Sequence, residues 1–153
     1  MQPEILYREA TSADVAAMEQ SRVGDAEAGA ADERMRSYFD GISHPREALL
    51  PRTGFVALDN NVVVGYIAGH LTRRFGYQGE VQFLYVAPKY RRQGIAAELL
   101  RRMAAWFSVQ NATRVCVNVN VDSSQASPFY LSQGASVMNK YWYVWDDITS
   151  LSQ

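Results

Sequence analysis

The spacing of apolar and polar residues in the first third of the chain predicts two short helices. "TSADV" has the form of a capping box, with Thr11 as the cap and Asp14 reaching back to it, and it predicts the start of a first helix. In "DERMRSYFDG" the apolar residues share one helical face, which predicts a second helix that ends at Gly41. "SHPREALLP" is bounded by Pro45 and Pro51, so we expect at most a turn or two of helix there.

The middle of the chain changes to a strand-like pattern. "GFVAL" and "VVVGYIAGHL" flank Asp59, Asn60 and Asn61, whose residue types favour a tight turn, so the two segments predict an antiparallel hairpin. The loop "TRRFGYQG" follows the hairpin. "EVQFLYVA" then predicts a buried strand, which ends before Pro88 because proline cannot donate to the ladder.

The longest helical pattern of the chain lies between two predicted strands at 80–87 and 114–121. From Gly94 to Asn111 the apolar residues recur at helical spacing, with Ile95, Leu99, Met103 and Trp106 on the central stripe. "RVCVNVNV" alternates strictly, so we expect one valine face and one face of Cys116, Asn118 and Asn120. A strand, a helix and a second strand form a right-handed crossover unit by default, so these two strands should be parallel neighbours. We therefore expect a mixed sheet with helices on both faces.

The end of the chain predicts one more helix and one more strand. The helix runs from about Gln125 to Gln133 and ends at Gly134, and the aromatic strand "YWYVWDD" follows. Large side chains lie on both faces of this strand. One face belongs to the core, and the other either covers a helix or forms a contact in a homodimer. No repeat or linker interrupts the pattern, so residues 1–153 are expected to form one domain.

Composition narrows the function classes. The 153 residues are 48% apolar, which is enough for one core, and 15 basic residues nearly balance 16 acidic ones, which argues against a nucleic-acid partner. The single Cys116 excludes an internal disulfide, and the isolated His44 and His70 do not form a metal-ligand cluster. No apolar run approaches the ~20 residues of a membrane span, and the first residues lack the apolar core of a signal peptide, so we expect neither feature. We therefore expect a cytoplasmic protein without a metal or a membrane partner.

Residues 85–100, "YVAPKYRRQGIAAELL", place positive charge and a glycine directly before the long helix. A helix N-terminus exposes unpaired N–H groups and the positive end of the macrodipole, so it binds anions, most commonly phosphate. Gly94 lets a ligand approach the backbone, and Arg91 and Arg92 add positive charge. The pattern is neither a P-loop nor the three-glycine dinucleotide fingerprint. From this loop alone, a solvated positive loop before a packed helix explains the residues equally well.

Two motifs together favour the phosphate site. "VQFLYVAPKYRRQGIAAELL" resembles the acetyl-CoA-binding signature of the GNAT superfamily of N-acetyltransferases, with Arg91, Gly94 and Ala96 at its motif positions. On a late helix, Ala126 and Tyr130, with Gly134 and Ala135 after them, resemble a second sequence pattern of that family. The resemblance covers essentially the whole chain. It implies an α/β (α+β) GNAT fold: a mixed, mostly antiparallel sheet of about six to seven strands, split between strands four and five and flanked by about four helices.

The resemblance also implies the reaction and its cofactor contacts. It implies transfer of an acetyl group from acetyl-CoA, as co-substrate, to a primary amine by direct attack in a ternary complex. Backbone N–H groups of Leu84 and its neighbour Tyr85 would polarise the acetyl carbonyl, and Val86 would pair with the pantetheine arm. The pyrophosphate would be held by the loop residues Arg91, Arg92, Gln93, Gly94, Ile95 and Ala96.

Direct attack requires two proton transfers. By resemblance Glu80 takes the position of the base, with a solvated residue at a strand edge as the alternative. Tyr130 takes the position of the acid, since a phenol of pKa ~10 can donate to a thiolate; packing alone is the alternative. Ser123 stands where many relatives carry asparagine, so Asn120 is a second candidate for that cofactor contact. His70 is a further candidate base, with a structural role as its alternative.

The sequence leaves the acceptor open. Acidic residues near the first two helices would favour a polyamine, an aminoglycoside or a peptide amine: Asp25, Glu27, Asp32 and Glu33. Basic residues in the later loop would favour an acceptor that carries a carboxylate: Arg73 and Arg74, beside Tyr77. Both sets are also ordinary surface charge. A small-molecule or amino-acid amine is the leading prediction. A protein N-terminal or lysine acetyltransferase and a non-catalytic acyl-CoA-binding module are the alternatives.

Overall fold

One seven-stranded sheet organises the part of the chain that the computed structural model describes, namely residues 4–25, 34–42, 44–119 and 126–153. In chain order the strands are β1 (Leu6–Glu9), β2 (Ala48–Asp59), β3 (Val62–Thr72), β4 (Gly79–Val86), β5 (Val115–Asn118), β6 (Ser136–Val137) and β7 (Trp142–Trp145). The α-helices are α1 (Val15–Ser21), α2 (Arg34–Phe39), α3 (Ile95–Val109) and α4 (Ala126–Ser132).

The strand order is β1-β2-β3-β4-β5-β7-β6, and β4 and β5 are parallel whereas the other neighbours are antiparallel. This confirms the predicted fold class and the predicted parallel pair. Helix α3 connects the parallel strands and buries Leu99, Met103 and Phe107 against one face of the sheet. The first two helices cover the other face with residues such as Met18 and Met35.

The parallel pair is short, and this opens the sheet. Among the described residues, β4 pairs with β5 only through Gly79–Val81, opposite Val115–Val117. On its other side, β4 carries a bulge against β3, because Ala68 lies opposite Phe83 while Gly69 lies opposite Val81. Gln82 is therefore an extra residue in β4. The sheet is split between its fourth and fifth strands, as predicted.

The start of α1 is fixed by Asp14. Its carboxylate accepts the N–H of Thr11 at 2.9 Å, which completes the predicted capping box, and it accepts two hydrogen bonds from Arg8 at 2.8 and 2.9 Å. A short 3-10 turn, Ser12–Asp14, precedes the helix. Val15 and Met18 are thereby directed into the core between α1 and the sheet.

The hairpin forms as predicted, but its first strand is longer. Asn60 and Asn61 have φ values of 50° and 67°, as a tight hairpin turn requires. Strand β2 begins at Ala48, so the segment before Pro51, which was expected to hold at most a turn or two of helix, is partly a strand that was not predicted. The register of β2 shifts between Leu49 and Arg52, and this irregularity lets a proline lie inside a strand.

Strands near the end of the chain differ from the prediction in three ways. Cys116 was expected on a polar face, but it is fully buried, in an interior strand between the buried Glu80 of β4 and Val144 of β7. Strand β6 was not predicted, since it has only two residues. It pairs with β7, whose Tyr143, Val144 and Trp145 are buried within the chain. The exposed aromatic face that suggested a homodimer is thus covered, and the homodimer stays a prediction.

We predict that Asp14→Asn destabilises the protein in a pH-dependent way. Hydrogen bonds from Arg8 hold the pKa of the Asp14 carboxyl below its ordinary value. The charged form therefore stabilises the fold above the unfolded pKa of ~4, and this contribution disappears as pH falls through the lower folded pKa. Urea unfolding should show a loss of ~1 kcal/mol at pH 7 that shrinks below pH ~4.

The control is Asp146→Asn, at an exposed position. It should change the free energy of unfolding by less than ~0.5 kcal/mol at pH 7. An Asp14→Asn effect that is equal at pH 7 and pH ~3.5 would contradict the assignment of this stability to the ionised carboxylate.

Candidate active site

A cavity of about 590 Å³ lies in the split between β4 and β5. Four elements contribute to its wall: β4 from Val81 to Val86, the start of α3 from Gly94 to Ala97, β5 with Val117 and Asn118, and α4 with Phe129 and Tyr130. The cavity is thus continuous from the N-terminus of the long helix to the point where the two strands meet. A single extended ligand can contact all four elements.

The N-terminus of α3 forms a backbone cradle at one end of the cavity. Gly94 caps the helix with φ 85°, and a Cβ there would meet nothing within 4 Å, so the backbone lies open. Arg92 also has a positive φ, 62°. The first N–H groups of a helix have no carbonyl partner within it, so those of Ile95 and Ala96 can bind an anion. Gln93 does not line the cavity; its Nε2 donates to Lys89 O at 3.3 Å.

Arg91 lies at the cavity with its guanidinium already engaged. Its Nε donates to Val86 O at 2.9 Å, and its Nη2 donates to Asp25 Oδ2 at 3.0 Å. The Tyr85 hydroxyl donates to the same oxygen at 2.6 Å. Burial and the negative charge of Asp25 raise the pKa of Tyr85. Asp25, predicted on the acceptor side, therefore contacts Arg91, predicted for the cofactor. The two residues are 66 positions apart, and nothing in the sequence indicated this contact.

The register of β4 decides which of its N–H groups face the split. Opposed residues in an antiparallel ladder alternate between hydrogen-bonded and non-hydrogen-bonded pairs. Ala87 N–H donates to Val64 O, so the alternation directs the N–H of Tyr85 toward β3 and those of Leu84 and Val86 toward the split. The register supports Leu84 rather than Tyr85 as a backbone donor, although the side chain of Tyr85 lines the cavity.

Tyr130 reaches the cavity from α4. The residue is 6% exposed and packs edge-on against Phe129 and Trp145, with ring centroids 5.5 and 5.9 Å away. Burial raises the pKa of its phenol. Among the described residues, none hydrogen-bonds its hydroxyl. The arrangement gives a neutral phenol that keeps its proton at physiological pH and is free to donate it to a ligand.

Comparisons with known proteins agree with this geometry. The family described as "Acetyltransferase (GNAT) family" matches residues 15–135. The chain belongs to this family. No curated protein matches the sequence.

Solved structures share the fold at low identity. PaiA N-acetyltransferase from Thermoplasma acidophilum, in complex with coenzyme A, is 15% identical with a TM-score of 0.70, and the match covers 94% of this chain and 99% of that one. An acetyltransferase from Thermus thermophilus is 17% identical with a TM-score of 0.71, covering 92% and 95%. The NatC complex bound to a Gag peptide and CoA is 18% identical with a TM-score of 0.68, covering 92% and 95%. Acetyl-CoA as the co-substrate fits this GNAT acetyltransferase.

Glu80 lies outside the cavity wall of this GNAT domain. It is 3% exposed, so the alternative of a solvated strand-edge residue was wrong. Its Oε1 accepts from Arg74 Nε at 2.9 Å and from Thr72 Oγ1 at 3.5 Å, and it lies 3.8 Å from His70 Nε2. His70 is fully buried and its Nδ1 lies 2.8 Å from the Tyr38 hydroxyl. This closed network gives the proposed base no contact with the cavity.

The other predicted residues fall into two groups. Asn120 and Ser123, and the acidic residues Glu27, Asp32 and Glu33, lie outside the described residues. Arg73 pairs with Glu47, and Tyr77 lies under the guanidinium of Arg114. The described residues include no group of His, Cys, Asp and Glu that could hold a metal, and no described helix is long and apolar enough to cross a membrane.

Sequence reasoning gave no sign of Arg22 and Gln82, which are among the polar residues of the cavity wall. Arg22 follows α1 and belongs to no motif of the sequence. Gln82 lies in a strand that was predicted to be buried, and the bulge that accounts for its position leaves no mark in the alternation of residues. No local signal in the sequence could have identified either one.

We predict that Glu80→Gln mainly reduces stability. The substitution leaves Arg74, whose side chain is 17% exposed, without its charged partner. Removing one member of a largely buried pair costs ~3 kcal/mol, which urea unfolding followed by circular dichroism would measure.

A matched control is Glu47→Gln, because its partner Arg73 is 71% exposed and screened by water. We expect it to cost less than ~1 kcal/mol. Unchanged stability in Glu80→Gln, together with loss of the acidic limb of the pH–rate profile, would instead assign Glu80 to proton transfer.

Proposed function

We propose that this acetyltransferase transfers an acetyl group from acetyl-CoA to a primary amine of a small molecule or amino acid, by direct attack in a ternary complex. One observation carries the proposal: a single cavity joins the backbone cradle at Gly94 to the buried hydroxyl of Tyr130. The cradle suits a pyrophosphate, and the phenol suits a departing thiolate. The distance between the two ends is bridged by the exposed edge of β4.

The residues that would hold the co-substrate follow from that cavity. The N–H groups of Ile95 and Ala96, with Arg92 beside them, would bind the pyrophosphate. Val86, whose N–H faces the split, would pair with the pantetheine arm as a neighbouring strand would. The similar PaiA structure is a complex with coenzyme A, which supports coenzyme A as the ligand proposed here.

The chemistry requires few groups from the protein. Leu84 would donate its N–H to the acetyl oxygen as negative charge develops there, and a fixed backbone donor needs no reorganisation to do so. As the amine nitrogen bonds to the carbonyl carbon, the carbon–sulfur bond breaks and Tyr130 would donate its proton to the sulfur. The extra proton on the nitrogen leaves to water, and the Tyr130 phenolate takes a proton back from water, which restores the phenol. We do not assign Glu80 as the base, because its carboxylate is held by Arg74.

Direct attack is supported by the state of the only cysteine. Cys116 is fully buried, does not line the cavity, and its thiol approaches Gly79 O at 3.7 Å. Burial raises the pKa of this thiol to about 12. Because the thiolate is the nucleophilic form, an acetylated cysteine intermediate has no support.

The wall of the cavity bears on the acceptor class. The described wall includes the aromatic residues Tyr66, Phe83, Tyr85 and Phe129, and three guanidinium groups, but no carboxylate. Aromatic surface favours an amine with an apolar body. A polyamine would need negative charge, so the described residues favour a monoamine or an amino acid instead.

Two measurements test the function. Calorimetric titration with coenzyme A should give saturable binding. Thiol release from acetyl-CoA should then rise with at least one member of a panel of 2-phenylethylamine, L-phenylalanine, glycine, putrescine and a short peptide. Binding of coenzyme A without release for any amine would favour a non-catalytic binding module, and release with the peptide alone would favour a protein acetyltransferase.

We predict that Tyr130→Phe lowers kcat while leaving coenzyme A affinity unchanged. Loss of a general acid typically costs ~10²-fold or more, and stability should fall little because no described residue hydrogen-bonds the hydroxyl. Since burial raises the pKa of Tyr130, the wild-type rate should not decline through this group up to pH ~10.

The matched control is Tyr141→Phe, at a tyrosine that is 51% exposed and outside the cavity wall. It should retain wild-type kcat. Equal rates in Tyr130→Phe and Tyr141→Phe would remove Tyr130 from the mechanism.

A further inference from the structure

We propose that Gln82 binds the attacking amine, with its side-chain carbonyl oxygen accepting an N–H of the acceptor. The inference rests on the proposed function and names a substrate contact within the same cavity. Neither the two sequence motifs nor the pattern of the strand pointed to this residue.

The first observation is an unsatisfied polar atom. Gln82 Oε1 is buried and has no hydrogen-bond partner among the described residues, although Gln82 lines the cavity. A buried acceptor without a partner is costly in a folded protein and is usually explained by a ligand or a functional role. A donor that arrives in the cavity would satisfy this oxygen once the amide turns toward the cavity.

The second observation is the bulge of β4. Neighbouring residues of this strand pack into opposite cores, Val81 on the side of α3 and Phe83 on the side of α1 and α2. Gln82 is the extra residue between them, and bulges redirect side chains from the regular alternation. Gln82 thereby contributes to the wall of the split, next to the point where pairing of β4 with β5 ends.

The third observation is the order of groups along β4. The strand leads toward the cradle at Gly94, so Val86 is nearest to it, Leu84 is next and Gln82 is farthest. Two residues of strand span ~7 Å, so Gln82 lies about that far from the Leu84 N–H that is assigned to the acetyl oxygen. This distance leaves room for the amine group of the acceptor. Gln82 is therefore at the acceptor end of the cavity.

The other polar groups of the described wall suit this task less well. Guanidinium groups have no acceptor and repel an ammonium ion, which excludes Arg22, Arg91 and Arg92. Asn118 is exposed. Tyr130 is assigned to the leaving sulfur. Gln82 is the buried side-chain carbonyl that remains among the described residues.

An amide also suits the reaction better than a carboxylate at this position. A carboxylate would hold the acceptor as an ammonium ion, which has no lone pair for attack, whereas a neutral carbonyl binds the free amine. As the nitrogen–carbon bond forms, the nitrogen becomes positive and its hydrogen bond to Gln82 becomes charge-assisted. The contact is thus stronger in the transition state than in the bound substrate, as catalysis requires. Gln82 takes no proton; the nitrogen loses its extra proton to water when the carbon–sulfur bond has broken.

The test compares Gln82→Met, Gln82→Glu and the control Gln20→Met, an exposed glutamine on α1. The probe is the amine of the panel above with the highest wild-type kcat/KM. We expect Gln82→Met to lose ~10- to 100-fold in kcat/KM for the amine, with coenzyme A affinity unchanged and an unfolding midpoint equal to or above that of wild type, because the buried oxygen without a partner is removed. Gln20→Met should match wild type. Gln82→Glu should add an ionisation to the pH profile of kcat/KM that wild type and Gln82→Met do not have.

Each of the other outcomes overturns either the inference about Gln82 or the proposed function. Wild-type kcat/KM in Gln82→Met, or a pH profile of Gln82→Glu identical to that of wild type, overturns the inference and leaves the proposed function standing. Parallel losses of amine and coenzyme A affinity overturn it in favour of a cofactor contact. Coenzyme A binding without turnover of any amine by wild type overturns the proposed function, and the inference with it.

Discussion

Among the described residues, the parallel pairing of β4 and β5 extends over Gly79–Val81 and Val115–Val117, and the cavity of the candidate site depends on where that pairing stops. A parallel pair that continued would use the outward N–H groups of β4 in its own ladder, and no ligand could reach them. Because the strands separate after Val81, the N–H groups of Leu84 and Val86 face a cavity. The sheet thus provides a binding edge in its interior, where two covered faces protect it from pairing with another chain.

The closed end of the split is reinforced on both faces of the sheet. On one face Phe107 packs so closely over Gly79 that a Cβ there would overlap its ring. On the other face Glu80 is held by Arg74 and Thr72. Rigid packing is what fixes the distance from the cradle at Gly94 to the hydroxyl of Tyr130. The buried polar network is therefore better understood as a support for the split than as part of its chemistry.

Local signals account for what the sequence predicted well. The capping box at Asp14, the positive-φ turn at Asn60 and the helix start at Gly94 each depend on a few neighbouring residues, and all three were identified. The parallel pair was also predicted, but irregularities of register between paired strands were not. Pro51 was treated as a boundary because a proline in a strand needs a register shift that only β3 reveals.

The site shows the same division between local and distant information. Gly94 and Tyr130 lie in motifs and line the cavity as expected. Glu80 was predicted to be either a base or an exposed acid. Its ion pair with Arg74 was not considered, because the two residues come together only when the loop between β3 and β4 folds. Asp25 meets Arg91 across 66 positions, and Gln82 enters the cavity through a bulge, so neither could be found without coordinates.

The burial of Cys116 has a consequence for work with this protein. Its thiol is shielded from solvent and remains protonated at any ordinary pH, because burial raises its pKa to about 12. A thiol reagent added to the folded protein therefore finds no reactive sulfur. When a coloured thiol reagent follows the release of coenzyme A, its signal therefore comes from free coenzyme A alone. The same reagent becomes a probe of unfolding once denaturant exposes the single cysteine.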